Sequence, residues 1–308
     1  MKSACPHCHH EFVPSAGSAD CCPACGRSLV DAERMLLSTD ESAFYEGKFG
    51  DTWGVRNPAW WWIKKRVVTR WRFLLNCLPG GPQRILDLGC GGGNALLGEK
   101  GGSVIGLDLS VCSLLKARSV CRHVCRARAD ELPFRDGVFD CVVSMDLLGH
   151  IPHSRKDATI KEISRVLKAK GLTMHYVEAA GSNPIQRFAQ QYPQLYQRYF
   201  IEADGHYGLE PPEAVIERFR QQGFQPVREE KDEVGAVRTL REHLKRFDNE
   251  YQTKSARVLW SVRLYRFLGS NRASRYATEG ILALVSAVLR RRLDLSSADS
   301  LFVCYRKP

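Results

Sequence analysis

The chain has 308 residues, 44% of them hydrophobic and 26% charged, with a formal net charge of +11. That length allows about two domains, or one large domain with additions, and that composition excludes disorder over most of the chain. The longest apolar stretch, Ile281–Leu289, is about half of the ~18–20 residues that a membrane-spanning helix needs. The opening residues Met1–His10 lack the apolar core of a secretory signal. A cytoplasmic setting follows as the expectation, and in it the twelve cysteines read as reduced thiols, some of them on a metal.

Residues 1–30 hold five of the twelve cysteines and three of the nine histidines. Cys5-Pro6-His7-Cys8 and Cys22-Pro23-Ala24-Cys25-Gly26 form two C-x-x-C knuckles. Four thiolates at that spacing can surround one zinc tetrahedrally, and the proline and glycine suit tight turns. The pattern resembles a zinc ribbon, with Cys5, Cys8, Cys22 and Cys25 as ligands. Cys21 would spoil the spacing, and His7, His9 and His10 are less regular alternatives. A closed four-thiolate site is structural, and its metal supplies the folding energy of so short a module.

A helical extension is expected over 31–80, including the cluster Trp60-Trp61-Trp62. Residues 84–178 then alternate apolar and amphipathic runs, the pattern of repeated βα units on a parallel sheet. Strands are predicted at 84–89, 103–108, 123–128, 138–145, 171–177, 224–230 and 300–306. Helices are predicted at 92–99, 110–120, 154–169 and 212–222. A helical insertion fills about 232–298, inside a domain spanning 81–308. Residues 252–308 hold eleven Lys/Arg and three Asp/Glu, a local charge of +8, whereas the remaining residues carry +3. Such an excess suits a polyanion or an anionic membrane surface, or else a solvated helix face.

The strongest functional signal is Ile85-Leu86-Asp87-Leu88-Gly89-Cys90-Gly91-Gly92-Gly93, an apolar strand that ends in an acid and a glycine loop. Glycines let backbone turn sharply and approach a ligand closely. A second acid, Asp108, ends the next strand 21 residues on, where a ribose hydroxyl pair would be bound. Two further segments follow: Arg128-Ala129-Asp130-Glu131-Leu132-Pro133-Phe134, and Phe139-Asp140 opening the fourth strand. Then comes Glu162-Ile163-Ser164-Arg165-Val166-Leu167-Lys168-Ala169-Lys170-Gly171. Taken in this order, the segments resemble the class I S-adenosylmethionine-dependent methyltransferases, especially the branch that includes the quinone-biosynthesis enzymes.

That resemblance implies an α/β fold: a Rossmann-like, seven-stranded methyltransferase sheet with helices on both faces, here with the small N-terminal zinc ribbon added. It implies S-adenosylmethionine as cofactor. Gly89, Gly91 and Gly93 would pass under its methionine part, and Asp87 would orient the loop or the amino group. Asp108 would take the ribose hydroxyls and Leu109 would cover an adenine face. Asp130 would meet the adenine amino group, with Glu131 as its rival. Met145 and Asp146 would line the site near the sulfonium. The chain departs from the family pattern in a short helix after the loop and in Lys-Ala-Lys-Gly at 168–171, where Lys-Pro-Gly-Gly is more usual.

Methyl transfer needs alignment and exclusion of water, and a base only where the acceptor must lose a proton. His150, four residues past Asp146, is the expected catalytic base. His153 is a second candidate, His206 and Tyr207 are candidates for substrate contact, and Tyr45 and Trp53 could close over the cofactor. Ala256–Leu268 and Gly280–Leu293 mix apolar residues with arginines, which suits an anionic membrane surface, a lid over a greasy acceptor, or packing on the core. The leading expectation is transfer to O or C of a small hydrophobic or lipid-linked acceptor, with peripheral membrane contact through 252–293. A ribosomal-RNA base methyltransferase using the ribbon and basic tail is the alternative, and a non-catalytic cofactor-binding regulator is the third reading.

Overall fold

The structure, a computed structural model, describes residues 3–4, 11–12, 44–46, 69–81, 83–182, 184–232, 260, 263–264, 267 and 271–308. Cys5, Cys8, Cys22, Cys25 and Trp53 lie outside the described residues, as does most of Ala256–Leu268. Ser3–Ala4 pairs antiparallel with Glu11–Phe12.

Each predicted strand forms. They are β1 Arg84–Leu88, β2 Ser103–Asp108, β3 His123–Arg126, β4 Phe139–Met145, β5 Leu167–Glu178, β6 Gln225–Lys231 and β7 Ser300–Arg306. They make one seven-stranded sheet in the order β3-β2-β1-β4-β5-β7-β6. β7 runs antiparallel to β5 and β6, and the other pairs are parallel. Alternation along the strands divides the core. Leu86, Leu88, Val142, Val177, Val303 and Tyr305 bury one face. Ile85, Cys141, Val143, Met174, Phe302 and Cys304 bury the other. A sheet covered on both sides needs apolar residues at successive positions, which explains the unbroken apolar runs of the sequence.

The first face is covered by α3 (His153–Val166) and α6 (Pro212–Gln221). Phe219 stacks on Tyr305 with ring centroids 4.8 Å apart. The second face is covered by α1 (Thr69–Cys77), whose Trp71, Phe73 and Leu74 are buried, and by α2 (Val111–Ala117). The last helix of the N-terminal extension thus forms part of the core, with Phe73 stacked 4.8 Å from Phe302.

Two local differences from the sequence expectation have clear causes. The helix expected at 92–99 shrinks to one 3-10 turn, Ala95–Gly98, because Gly98 and the left-handed Gly101 (φ +87°) end it. The fifth strand starts at Leu167 rather than at 171 and carries a bulge, with Leu167 opposite Phe139 but Leu172 opposite Cys141. Lys170 turns the chain there at φ +61°.

The connections between β5 and β7 all open at one edge. Glu178, the last residue of β5, pairs with Ser300, the first of β7, and Lys231, the last of β6, pairs with Leu301. This is the edge where the parallel strands end. It receives two short helices, α4 (Pro184–Gln190) and α5 (Pro193–Tyr196), a π turn (Gln197–Glu202), and α7 (Arg272–Arg292).

A buried charge cluster pins the segment before α6. Lys156 lies on the inward face of α3 and donates to Glu210 Oε1 at 2.9 Å and to the Gly208 carbonyl. Arg218 Nε donates to Glu210 Oε2 at 2.9 Å. Removing one member of a buried pair leaves the others uncompensated, at about 3–5 kcal/mol. Glu210→Ala is therefore expected to lose most of that amount in a urea melt, and Lys156→Met with Glu210→Leu together should recover part of it.

Candidate active site

The glycine loop is folded over β2 by its own amides. Gly89 N and Cys90 N both donate to the Leu107 carbonyl, at 2.7 and 2.9 Å. Gly91 N donates to Asp108 Oδ2 at 2.8 Å, and Ser110 N donates to Asp108 Oδ1 at 2.9 Å. Asp108 therefore fixes the loop and the start of α2 together. Burial pushes its carboxyl upward, and the three backbone N–H groups around it oppose that shift. Gly93 has φ +88°, and a Cβ there would sit 2.2 Å from Val120 Cγ2 and 3.1 Å from Ala117 Cα. Gly93→Ala is expected to lower stability by about 2–5 kcal/mol, from left-handed strain plus overpacking. Cutting Val120 back to alanine in the same chain should return part of that in a urea melt.

Two buried polar atoms beside the loop, Asp87 Oδ2 and Asn94 Nδ2, have no hydrogen-bond partner. Native interiors rarely leave such groups unsatisfied, and a bound ligand is one way to satisfy them. One is a carboxylate acceptor and the other an amide donor. Together they fit the ammonium and carboxylate of an amino acid, the chemistry of the methionine end of S-adenosylmethionine. Asp87 is 3% exposed, and burial, with repulsion from Asp108, pushes its carboxyl up to about 7. A cation beside it would draw that value down.

On the adenosine side, Leu109 is half-buried and its carbonyl accepts from Arg126 Nε at 2.9 Å. The Asp130 carboxylate is held by Arg128, at 3.0 Å from Nε and 2.5 Å from Nη2. Burial raises this carboxyl, but the Arg128 hydrogen bonds outweigh it and the net direction is down. Glu131 is exposed beside it. Glu46, from the distant helical residues 44–46, accepts from Ser110 Oγ at 3.0 Å, from Cys112 N at 3.2 Å and from Val111 N. It caps α2 next to Asp108.

The same short segment reaches the ends of β4 and β5. The Tyr45 ring stands edge-on to His150 with centroids 6.0 Å apart. Phe44 lies where a side chain on Gly205 would have to go. His150 Nδ1 donates to the Gly205 carbonyl at 3.0 Å. Its Nε2 stands 3.6 Å from Glu178 Oε2. His206 Nε2 lies 2.9 Å from that same oxygen, and the two imidazoles are 4.8 Å apart. Burial raises the Glu178 carboxyl, yet the His206 hydrogen bond and the two imidazoles bring the net shift downward.

Asp146, just past β4, has φ +61° and accepts from Arg70 Nη1 at 3.1 Å. Burial and the nearby Glu178 push its carboxyl up, against Arg70 and His206. Met145 is half-buried at the strand end and packs on the core. His153 is 54% exposed and leans towards Glu210, not towards this cluster. Tyr207 is exposed.

The structure thus gathers Asp87, Gly89, Gly91, Gly93, Asp108 and Leu109 on one side of the sheet edge, and Met145, Asp146 and His150 on the other. It adds Glu178, Arg70, Glu46 and Asn94, which sequence reasoning did not single out. An acid on the last residue of a strand was the available signal for Glu178. No local pattern marks Glu46 or Arg70.

Residues 85–171 match a family described as a methyltransferase domain. The ubiquinone/menaquinone biosynthesis C-methyltransferase of Vibrio cholerae is 36% identical over 115 residues, covering 32% of this chain and 43% of the relative. An uncharacterised methyltransferase of Synechocystis is 35% identical over 94 residues, covering 29% of this chain and 44% of the relative. This chain therefore spans less than half the length of these relatives. Among solved structures, phosphoethanolamine N-methyltransferase 2 of Haemonchus contortus, in complex with phosphomonomethylethanolamine and S-adenosylhomocysteine, superposes with a TM-score of 0.51. It is 22% identical and covers 89% of this chain and 59% of its own, which bears on the fold. With the strand order, the glycine loop and the two strand-end acids already in place, these matches show that the chain carries a class I S-adenosylmethionine-dependent methyltransferase domain.

Proposed function

We propose that the chain is an S-adenosylmethionine-dependent methyltransferase that transfers the methyl group to oxygen or carbon of a small, hydrophobic or lipid-linked acceptor. The observation that carries this reading is the unpartnered pair Asp87 Oδ2 and Asn94 Nδ2 on the same sheet edge as the His150–Glu178–His206 cluster. One holds an amino-acid end and the other offers proton-accepting groups. When bound, the cofactor supplies an electrophilic methyl on a sulfonium. Asp87 and Asn94 hold its amino-acid end, Asp108 and Leu109 its ribose and adenine, and Tyr45 and Glu46 narrow the opening. The acceptor's proton leaves through the histidine–glutamate cluster as a unit. His150 alone is a poor description of the base, because its Nδ1 is committed to Gly205 and its Nε2 faces Glu178.

A greasy acceptor is supported by α7, which is delivered to this edge by the topology. Its Ile281 and Leu284 are 62% and 66% exposed, Val285 and Val288 are exposed as well, and Arg290–Arg292 follow. Such a face suits an acyl or prenyl chain, or an anionic lipid surface. No helix among the described residues is long and apolar enough to cross a membrane. The name of the Vibrio relative, a quinone C-methyltransferase, points in the same direction. Four of the five cysteines of the first 30 residues, Cys5, Cys8, Cys22 and Cys25, are assigned to a structural zinc on their spacing.

The test is methyl-labelled S-adenosylmethionine incubated with the full chain and a cell lysate, with label counted in organic-soluble, aqueous small-molecule, RNA and protein fractions. Label in organic-soluble material is the expected result. Label in RNA would replace the acceptor class with a nucleic acid. No label in any fraction, with S-adenosylhomocysteine bound, would favour a non-catalytic cofactor binder.

A further inference from the structure

We infer that His150, Glu178 and His206 form a binding site for one divalent transition-metal ion of the zinc or iron(II) class, on the acceptor side of the sheet edge. Nothing in the methyltransferase pattern of the sequence calls for such a site. Three separate stretches supply it: the loop after β4, the end of β5, and the connection before α6. Their donor atoms all lie within 4.8 Å of one another.

The hydrogen bonding of His150 is the first reason. Its Nδ1 faces the Gly205 carbonyl at 3.0 Å. A carbonyl can only accept, so Nδ1 carries the proton, and in the neutral ring Nε2 carries the lone pair. That lone pair points towards a carboxylate oxygen. A lone pair facing a carboxylate oxygen at that distance is an arrangement that a bound cation would stabilise. Backbone carbonyls that fix the far nitrogen of an imidazole are also the usual outer support of a metal-bound histidine.

Distance is the second reason, and it separates a metal from a proton. His150 Nε2 to Glu178 Oε2 is 3.6 Å, longer than the ~2.7–3.2 Å of an N–H···O hydrogen bond. Two ligands at about 2.0–2.2 Å from one tetrahedral ion stand about 3.3–3.6 Å apart. His206 to the same oxygen, at 2.9 Å, is near enough for a small adjustment to open it. Space is kept for Glu178 by Gly149, where a Cβ would lie 3.2 Å from Glu178 Cβ and 3.3 Å from Oε2.

Two imidazoles and one carboxylate suit zinc and iron(II), and three protein ligands leave positions open. The side chains are 11%, 29% and 19% exposed for His150, Glu178 and His206, partly sheltered but reachable. Resting on the proposed function, the ligand that completes the site is an acceptor oxygen. With a metal bound the cluster ligates instead of accepting the proton, so an acceptor hydroxyl bound there would ionise more easily and give its proton to solvent in place of the cluster. Its oxygen, or the ring carbon conjugated to it, then attacks the methyl carbon. The carbon–sulfur bond breaks, and its electron pair stays on sulfur as the sulfonium becomes a thioether.

The experiment is titration of the metal-free full chain with Co²⁺ alone, followed by visible absorption and by counting bound ions after dialysis. The N-terminal thiolates would give strong near-ultraviolet sulfur-to-cobalt bands. The inferred site would give weak visible bands without them. Cys5→Ser with Cys8→Ser is expected to lose the sulfur bands and keep one equivalent of Co²⁺. His206→Gln and Glu178→Gln are each expected to lose that equivalent, and Zn²⁺ should displace it from the unmodified chain. S-adenosylhomocysteine binding by the variants verifies their fold. Equal Co²⁺ uptake by the unmodified chain and both variants would overturn the inference, and so would the absence of any nitrogen/oxygen-ligated cobalt. Because no acceptor or methyl donor is present, a failed labelling experiment leaves this readout intact, and failure here leaves the labelling result intact.

Discussion

Asp87→Asn is expected to make the unliganded chain more stable and its hold on the cofactor weaker. Folding raises this carboxyl from its ordinary 3.8 to about 7, so the folded chain keeps a proton that the unfolded chain has already released. Asp87 therefore weakens the fold progressively as pH rises from about 4 to 7. An amide removes that penalty, and a gain on the order of 2 kcal/mol is expected at pH 7.5. The same change deletes a charged partner for the ammonium of the ligand, worth about 1.5–3 kcal/mol, or roughly ten- to hundredfold in Kd. Thermal melts and calorimetric titration with S-adenosylhomocysteine check both signs. In the unmodified chain, binding below pH 7 should release a proton, so affinity should climb towards pH 7. It should fall again above about 8, where the ligand's own amino group loses its charge. A Kd for Asp87→Asn equal to that of the unmodified chain would remove Asp87 from the cofactor site.

Glu178→Gln should separate chemistry from binding. The glutamine oxygen can still accept from His206, so the connection before α6 stays docked. What disappears is the negative charge that makes the two imidazoles proton acceptors or metal ligands. Loss of such a group lowers turnover by about 10²–10⁴-fold, while the Kd for S-adenosylhomocysteine should stay within about threefold because Asp87, Asn94 and Asp108 are untouched. A purely structural glutamate would give the opposite pattern, with a lowered melting temperature and an unaltered kcat.

Most of the sheet was readable in the sequence because a strand covered on both faces leaves a largely apolar run bounded by glycine or charge. The polar edge strand β6 was marked instead by the helix and Gly223 before it. The sheet's strand order was carried by the family resemblance. Half of the site was equally plain. Asp87 and Asp108 end strands, and the glycines between them had to be left-handed to turn the loop back onto β2. Glu178 ends a strand in the same way and escaped notice because no glycine loop follows it. Glu46 and Arg70 were beyond reach for a different reason. Each meets its partner across 64 to 76 residues of chain, and only the packing of α1 and residues 44–46 brings them there. Lys156 offered a signal that went unused, since a lysine on the apolar face of α3, four residues before Ile160 and seven before Ile163, needs a buried carboxylate to face it.

Residues 44–46 touch both halves of the site, through Glu46 at the start of α2 and through Phe44 and Tyr45 at Gly205 and His150. Thermodynamic linkage attaches a consequence to that bridge. A ligand that steadies one end of it steadies the other, and the resulting factor in affinity is reciprocal. On the proposed function, cofactor and acceptor would therefore be mutual effectors: whatever tightening the first confers on the second, the second would return in full.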